Sequence, residues 1–290
     1  MEVIVVDDCS SDGLAEMVAN EFPQVRLLRN AENMGFAKTA NRGLLASTGE
    51  YLALLNSDTV VSRGGLEKLV EVLEQHPDVW AVGPRLRYPT GGVQPSCSTF
   101  IRLRDVLFEQ LFLDKLFPKS RLFGSHFLTW WSYDAPREVD VLSGACIVAS
   151  RETWCRVGLL DENYFLYCDD PDWCLRVKRA GGKCWFWPGV EITHYVGATS
   201  AGDRGPAILA YNRSRCYYFL KFHGRRQAAW ARRLAILGST LRLAMWGTAA
   251  LLGVGRARAQ ASMWRRVLSG LLKLDLKELP ADRPAVPTLP

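Results

Sequence analysis

The eight cysteines of this 290-residue chain, at positions 9, 97, 146, 155, 168, 174, 184 and 216, contain no Cys-x-x-Cys pair. That excludes a zinc ribbon and a thioredoxin-type motif. They read as reduced, mostly packed thiols of a cytosolic protein. No secretory leader is expected either: Met1 runs straight into Val3–Val6 and Asp7-Asp8, a start too short and too acidic for one. Internal repeats and low-complexity segments are absent. What is present is ordinary for a globular protein, with 48% hydrophobic and 23% charged residues, so one large α/β domain with an appendage is expected.

Charge is divided unevenly. From Lys221 to Pro290 there are 13 Lys and Arg against three acids, or +10, so the net +6 of the whole leaves −4 on residues 1–220. A mildly acidic body with a basic tail directs the tail toward an anionic partner. The stretch 228–254 is apolar but carries Arg232, Arg233 and Arg242. A spanning helix needs about 20 apolar residues, and a central Arg costs roughly 2.5–3.5 kcal/mol even on the lenient insertion scale. Helices lying on a membrane surface are favoured, with 263–274 repeating the same Trp and Arg chemistry. A helical cap packed on the main domain is the alternative. No nucleic-acid motif accompanies the basic residues.

Alternating patterns set the organisation. Val3–Val6 and Val25–Arg29 read as short strands, with a helix at Leu14–Phe22 between them. Helices at Lys38–Ala46 and Leu66–Gln75 and strands at Tyr51–Leu55 and Val79–Val82 continue the alternation, which predicts a doubly wound sheet. Residues 85–136 are aromatic and irregular, either a binding surface or a helical insert. Order returns at Val139–Ala149, followed by a helix near Arg151–Val157, the segment Phe165–Arg179 whose helix Gly181-Gly182 ends, and a strand at Lys183–Trp187.

Two clusters carry chemistry. The run Tyr51-Leu-Ala-Leu-Leu-Asn-Ser-Asp58 ends abruptly in a carboxylate, and ligands of open α/β sheets bind beyond the carboxyl ends of such strands. The same Asn56-Ser57-Asp58 is also good turn sequence. Phe165–Arg176 crowds Asp169, Asp170 and Asp172 at the start of a helix, which fits either capping or a carboxylate pair with one member acting as general base. His194 follows Asp170 by 24 residues, beyond the expected strand.

The order of these motifs resembles the family-2 inverting glycosyltransferases of GT-A fold, most closely the rhamnosyltransferase-like and galactofuranosyltransferase-like members. The resemblance runs from Glu2 to about Gly224: Val3–Gly13, Asn33-Met-Gly-Phe36 with Asn41-Arg-Gly43, Asn56–Thr59 at the family's Asp-x-Asp position, Val141–Cys146, Tyr167–Arg176 and His194–Ser200. It implies a mostly parallel sheet with flanking helices over residues 1–224, followed by the basic amphipathic tail at 225–290. It also implies transfer of a sugar from dTDP or UDP to a cell-surface glycan or polyprenyl-linked acceptor at the inner face of the cell membrane. Asp170 would be the base and Asp169 its neighbour in orienting the acceptor. Asp58 and His194 would hold a divalent metal, Mn²⁺ or Mg²⁺. Asp7, Asp8, Asn33, Gly35, Asn41, Asn56 and Ser57 would lie on the donor side, with turn and cap chemistry as the alternative for the asparagines. Ser143, Gly144 and Trp173 would lie on the acceptor side. Trp173 and Tyr167 suit sugar stacking or a core role equally.

Two departures stand out. Asn56 replaces the family's first acidic position. Family members also begin with one more strand and helix, so an N-terminally incomplete chain is expected, with a non-catalytic nucleotide-sugar-binding remnant as the alternative function. A nucleotidyltransferase finds no support, because no Gly-rich, Lys-bearing phosphate loop follows an early strand.

Overall fold

Apolar runs of four or five residues become strands and the amphipathic segments between them become helices, as the alternation predicts. The computed structural model describes residues 1–195, 203–280 and 286–289. In chain order, β1 (Ile4–Asp7), α1 (Leu14–Glu21), β2 (Arg26–Arg29) and α2 (Phe36–Ala46) lead into β3 (Tyr51–Leu55) and β4 (Thr59–Val61). Then come α3 (Gly65–Gln75), the long β5 (Val79–Arg87), and the short β6 (Val93–Gln94) and β7 (Cys97–Ser98). The aromatic stretch is a helical insert, with α4 (Leu103–Gln110) and α5 (Leu113–Leu116). After it follow β8 (Arg137–Val139), β9 (Val141–Leu142), β10 (Cys146–Ser150), α6 (Arg151–Val157), α7 (Asp169–Arg179) and β11 (Lys183–His194). Three helices end the chain: α8 (Gly205–His223), α9 (Arg225–Leu251) and α10 (Ala257–Lys273).

The expectation of a mostly parallel sheet is corrected. The main sheet has the order β3-β10-β5-β11-β4 with β6 and β8 at its margins, and only β5 and β11 pair in parallel within it. β10 runs antiparallel between β3 and β5, and β4 turns back after Asp58 to pair antiparallel with β11. Short links do not set these directions, since the insert with α4 and α5 lies between β5 and β10. β1 and β2 pair in parallel with each other and, among the described residues, with no other strand, so β1 and β3 each keep one unpaired edge. Helix α2 packs on both and bridges the gap.

β11 also runs further than sequence suggests. It continues through Pro188-Gly189 by a register shift between Trp187 and Glu191, where a bulge accommodates the missing proline N–H. Arg85 and Arg87 of β5 both bind Glu191 and hold the strand beyond the bulge. His194 is therefore the last residue of β11 rather than a loop residue.

Successive residues of β10 feed two cores, as the two-residue period demands. Ile147 and Ala149 join Leu52, Leu54, Trp154 and Trp173 under α2, α6 and α7, while Cys146 and Val148 join Leu69, Val72 and Ile192 under α3. A third cluster lies between α4, α7, α8 and α9. Helix α10 buries its apolar face, Val267 and Leu271, against α8 and α9. Six of the eight thiols are buried and all eight are free.

Candidate active site

Residues 143–146, the approach to β10, are the hub on which the candidate residues converge. Ser143 N–H donates to Ser96 O at 2.9 Å. Gly144 N–H donates to Asp170 Oδ2 at 3.1 Å. Ala145 O accepts from Asn56 N–H at 3.0 Å. Two adjacent residues thus tie the carboxylate at the start of α7 to the turn at the end of β3. A Cβ on Gly144 would lie 3.7 Å from Asp170 Cβ and 3.9 Å from Phe36 Cε1, so the strand end, α2 and α7 meet at this residue in ordinary packing contact.

The turn after β3 presents Asp58 to the end of β11. Asp58 Oδ1 lies 3.1 Å from His194 Nε2, and Asp58 O accepts from Tyr195 N–H at 2.8 Å. His194 is buried, and its Nδ1 lies 3.2 Å from Gln94 Oε1. With Gln94 accepting from Nδ1–H, the Nε2 lone pair faces a carboxylate, an arrangement that calls for a shared positive charge. On the same turn, the buried Asn56 Oδ1 has no partner among the described residues. These oxygen and imidazole donors fit a hard divalent cation. Among the described residues no group of three or more His, Cys, Asp or Glu side chains gathers, so the protein offers a pair of ligands and not a full cage. The segment that follows, 196–200 of the expected late motif, lies outside the described residues.

At the start of α7 the three aspartates part company. Asp172 is wholly buried and fully partnered: Tyr164 Oη donates to it at 3.1 Å, Arg176 Nε at 2.7 Å and Lys221 Nζ at 2.5 Å. Lys221 also donates to the buried Asp161 at 2.6 Å. Asp170, partly exposed, has the Gly144 N–H and no basic side chain; burial pushes its carboxyl up to about 6, with the Gly144 hydrogen bond opposing. Asp169 is buried beside it, and burial first and the neighbouring Asp170 charge second push it well above the carboxylate range. Tyr167 and Cys168, just before the pair, both adopt left-handed backbone with φ 67° and 65°. Such geometry costs of order 1–3 kcal/mol per non-glycine residue. Asp172 N–H, bonded to Cys168 O, and Ser214 Oγ, bonded to Leu166 O, hold it.

On the other wall, the loop after β2 is organised by carboxylates. Asp8 accepts from Asn30 Nδ2, Met34 N–H and Gly35 N–H, so its carboxylate shapes this loop. Asn33 Oδ1 also caps Gly35 N–H. Gly35 needs its φ of 82°, and a Cβ there would sit 2.5 Å from Phe165 O. Asp7 is buried at the end of β1, where Oδ1 accepts from Ser10 N–H. Ser57 is exposed at the turn.

Two further expectations are corrected. Asn41 is fully buried and exchanges hydrogen bonds with Leu160 N–H and O, 119 residues away, so it fastens α2 to the loop before α7 and does not line a pocket. Trp173 is 0% exposed. It stacks on Trp154 at 4.2 Å and donates to Gly158 O, which makes it core and not an acceptor contact. Tyr167, more than one-third exposed, has the availability that Trp173 lacks. Gln94 and Lys221 were not legible as site-supporting residues, because their partners are 100 and 49 residues away and no local pattern marks them.

Comparison with known proteins bears on the family and the fold. Residues 1–129 match the family model described as Glycosyl transferase family 2. The chain is 27% identical over 232 residues to N-acetylglucosaminyl-diphospho-decaprenol L-rhamnosyltransferase of Mycobacterium tuberculosis, covering 76% of this chain and 74% of the relative. It is 30% identical over 211 residues to a protein of Sinorhizobium fredii without assigned function, covering 71% of this chain but 22% of that one. Among solved structures, GalNAc-T7 with UDP, GalNAc and Mn2+ superposes with a TM-score of 0.51 at 15% identity, over 76% of this chain and 44% of that one. The α/β sheet, the strand-end Asp58 and the carboxylates at the start of α7 thus stand in a chain whose residues 1–129 match the family-2 glycosyltransferases and whose architecture is that of the GT-A fold.

Proposed function

We propose that the protein transfers a sugar from a nucleotide diphosphate donor, dTDP-rhamnose or a UDP-sugar, to a hydroxyl of a cell-surface glycan or polyprenyl-linked acceptor, with inversion at the anomeric carbon. The observation that carries this reading is the Gly144–Ala145 hub, which joins Asp170 to the turn bearing Asp58. The rhamnosyltransferase of M. tuberculosis, named for a decaprenol-linked substrate, supports the choice of acceptor class.

Asp170 Oδ2 is held by Gly144 N–H, leaving Oδ1 to accept the proton of the acceptor hydroxyl as that oxygen attacks the anomeric carbon opposite the diphosphate. A carboxyl near 6 is mostly ionised at neutral pH yet basic enough to take a proton in the transition state. Burial first and the Asp170 charge second push the Asp169 carboxyl well above the usual range, which disfavours two negative charges side by side. Asp7 and Asn33 border the donor side, and Tyr167 offers a ring face to the acceptor. Asp58 and His194 would hold Mn²⁺ or Mg²⁺, and a divalent ion bound there supplies charge that stabilises the departing diphosphate.

The test is a panel of nucleotide sugars with Mn²⁺ and a polyprenyl-linked saccharide, with product configuration read by NMR. Transfer with inversion, lost on adding EDTA and restored by Mn²⁺, is expected; a retained configuration overturns the displacement. The unpaired edges of β1 and β3 favour a second reading, a nucleotide-sugar binder without turnover. Donor binding by calorimetry with no transfer from any donor would select it.

A further inference from the structure

Two groups of exposed apolar side chains, on α9 and on the helical insert, are joined by one contact. Helix α9 is long and apolar enough to cross a membrane by length and composition, yet it is seated on protein. Ala228, Ala231 and Gly238 are buried in its contact with α4, α8 and α10. Arg232 donates to Leu271 O and Leu272 O. The face turned away carries Trp230, Leu237, Met245 and Leu252, at helical spacing, all exposed, with Leu252 79% accessible. Arg226 and Arg233 flank that stripe, and the Arg233 guanidinium lies 5.0 Å from the Trp230 ring centroid.

A second apolar patch joins it from 130 residues earlier in the chain. Arg242 of α9 donates to Glu109 O and Gln110 O at 3.1 Å each and lies 4.1 Å over the Phe112 ring. One turn past Phe112 begins the insert's tip, where Leu116 (67% accessible), Phe117 and Leu122 stand in solvent among Lys115, Lys119 and Arg121. One turn past Arg242 is the exposed Met245. Both patches therefore spring from the same clamp.

Charge identifies the occupant. Residues 225–274 hold ten Lys and Arg and no Asp or Glu, and residues 115–122 hold three cations and no acid. Exposed Trp and Leu side chains ringed by Arg and Lys match the boundary of an anionic bilayer, where apolar groups sink below the headgroups and cations remain among them. We propose that the outer face of α9 and the 115–122 tip form one two-part surface by which the protein docks, lying flat, on the anionic cytoplasmic leaflet. The tail alone is then half of the anchor. This proposal stands apart from the transfer reaction, because its readout is lipid binding.

Co-sedimentation of the full chain with phosphatidylcholine vesicles, with and without phosphatidylglycerol, tests it. Binding to the anionic vesicles is expected to be about tenfold tighter or more. The exposed pairs Leu116→Ser with Phe117→Ser, and Leu251→Ser with Leu252→Ser, should each weaken that binding by about tenfold or more without changing the melting temperature. Equal binding to both vesicle types overturns the proposal, as does loss confined to the α9 pair. A lipid-free dimer that the same substitutions dissolve would assign the surface to a second copy of the chain and overturn it too.

Discussion

Asp170 and Asp172 sit two residues apart in the first turn of one helix, with the same side chain and the same helix dipole, and they have opposite surroundings. Asp172 is enclosed by Arg176, Lys221 and Tyr164, and every oxygen is satisfied. Asp170 has a backbone N–H and an ionisable neighbour of its own sign. A partnered carboxylate is stable and chemically spent, whereas an underpartnered one is costly to hold and still basic. The left-handed Tyr167–Cys168 step that aims the pair adds to that cost, and the Lys221 network a turn away offsets it.

Breaking this contrast starts with Asp170→Asn. Turnover should fall by about 10²–10⁴-fold, the usual worth of a general base, with donor affinity and melting temperature nearly unchanged. Full activity in that variant would erase the distinction between the two aspartates. Lys221→Met attacks the other side. It leaves the buried Asp161 without a cation and Asp172 with Arg176 alone, and should cost about 3–5 kcal/mol of stability in denaturant titration; a stable variant would show that the network is dispensable. Trp173→Phe is smaller. Loss of volume and of the bond to Gly158 O should cost about 1–3 kcal/mol, with acceptor KM unchanged, and a raised KM would return Trp173 to the acceptor side.

The pH profile sharpens the comparison last. With the Asp170 carboxyl raised to about 6, kcat/KM should rise about tenfold per unit up to about pH 6 and then level off. The same raised value means that the folded protein binds this proton more tightly than the unfolded chain does. Its contribution therefore favours the fold at low pH and is lost as pH climbs from about 4 to about 6. A limb near the ordinary carboxylate value would deny Asp170 its special setting.

Strand-end carboxylates and helix starts were legible because their signals are local: Asp58 closes an apolar run, and Asp169-Asp170-Pro171 opens a helix. The pairing within the main sheet was not, since nothing in the five residues of β10 says that they insert antiparallel between β3 and β5. The course of β11 through Pro188 was hidden by a residue that ordinarily ends a strand, and Glu191 with two arginines compensates. Asn41 and Trp173 misled because composition cannot tell a polar or aromatic residue that lines a cleft from one that fastens the core. Only partners more than 100 residues off, or an indole stacked face to face, decide it.

The lysine bridge also makes two distant parts of the molecule interdependent. Asp161 and Asp172 lie buried on either side of one ammonium carried by α8, 49 residues downstream of Asp172. The helix that positions Asp170 is thus locked to the helix on which the basic, apolar α9 and α10 pack, so a change in the C-terminal helices has a physical route to the carboxylate pair.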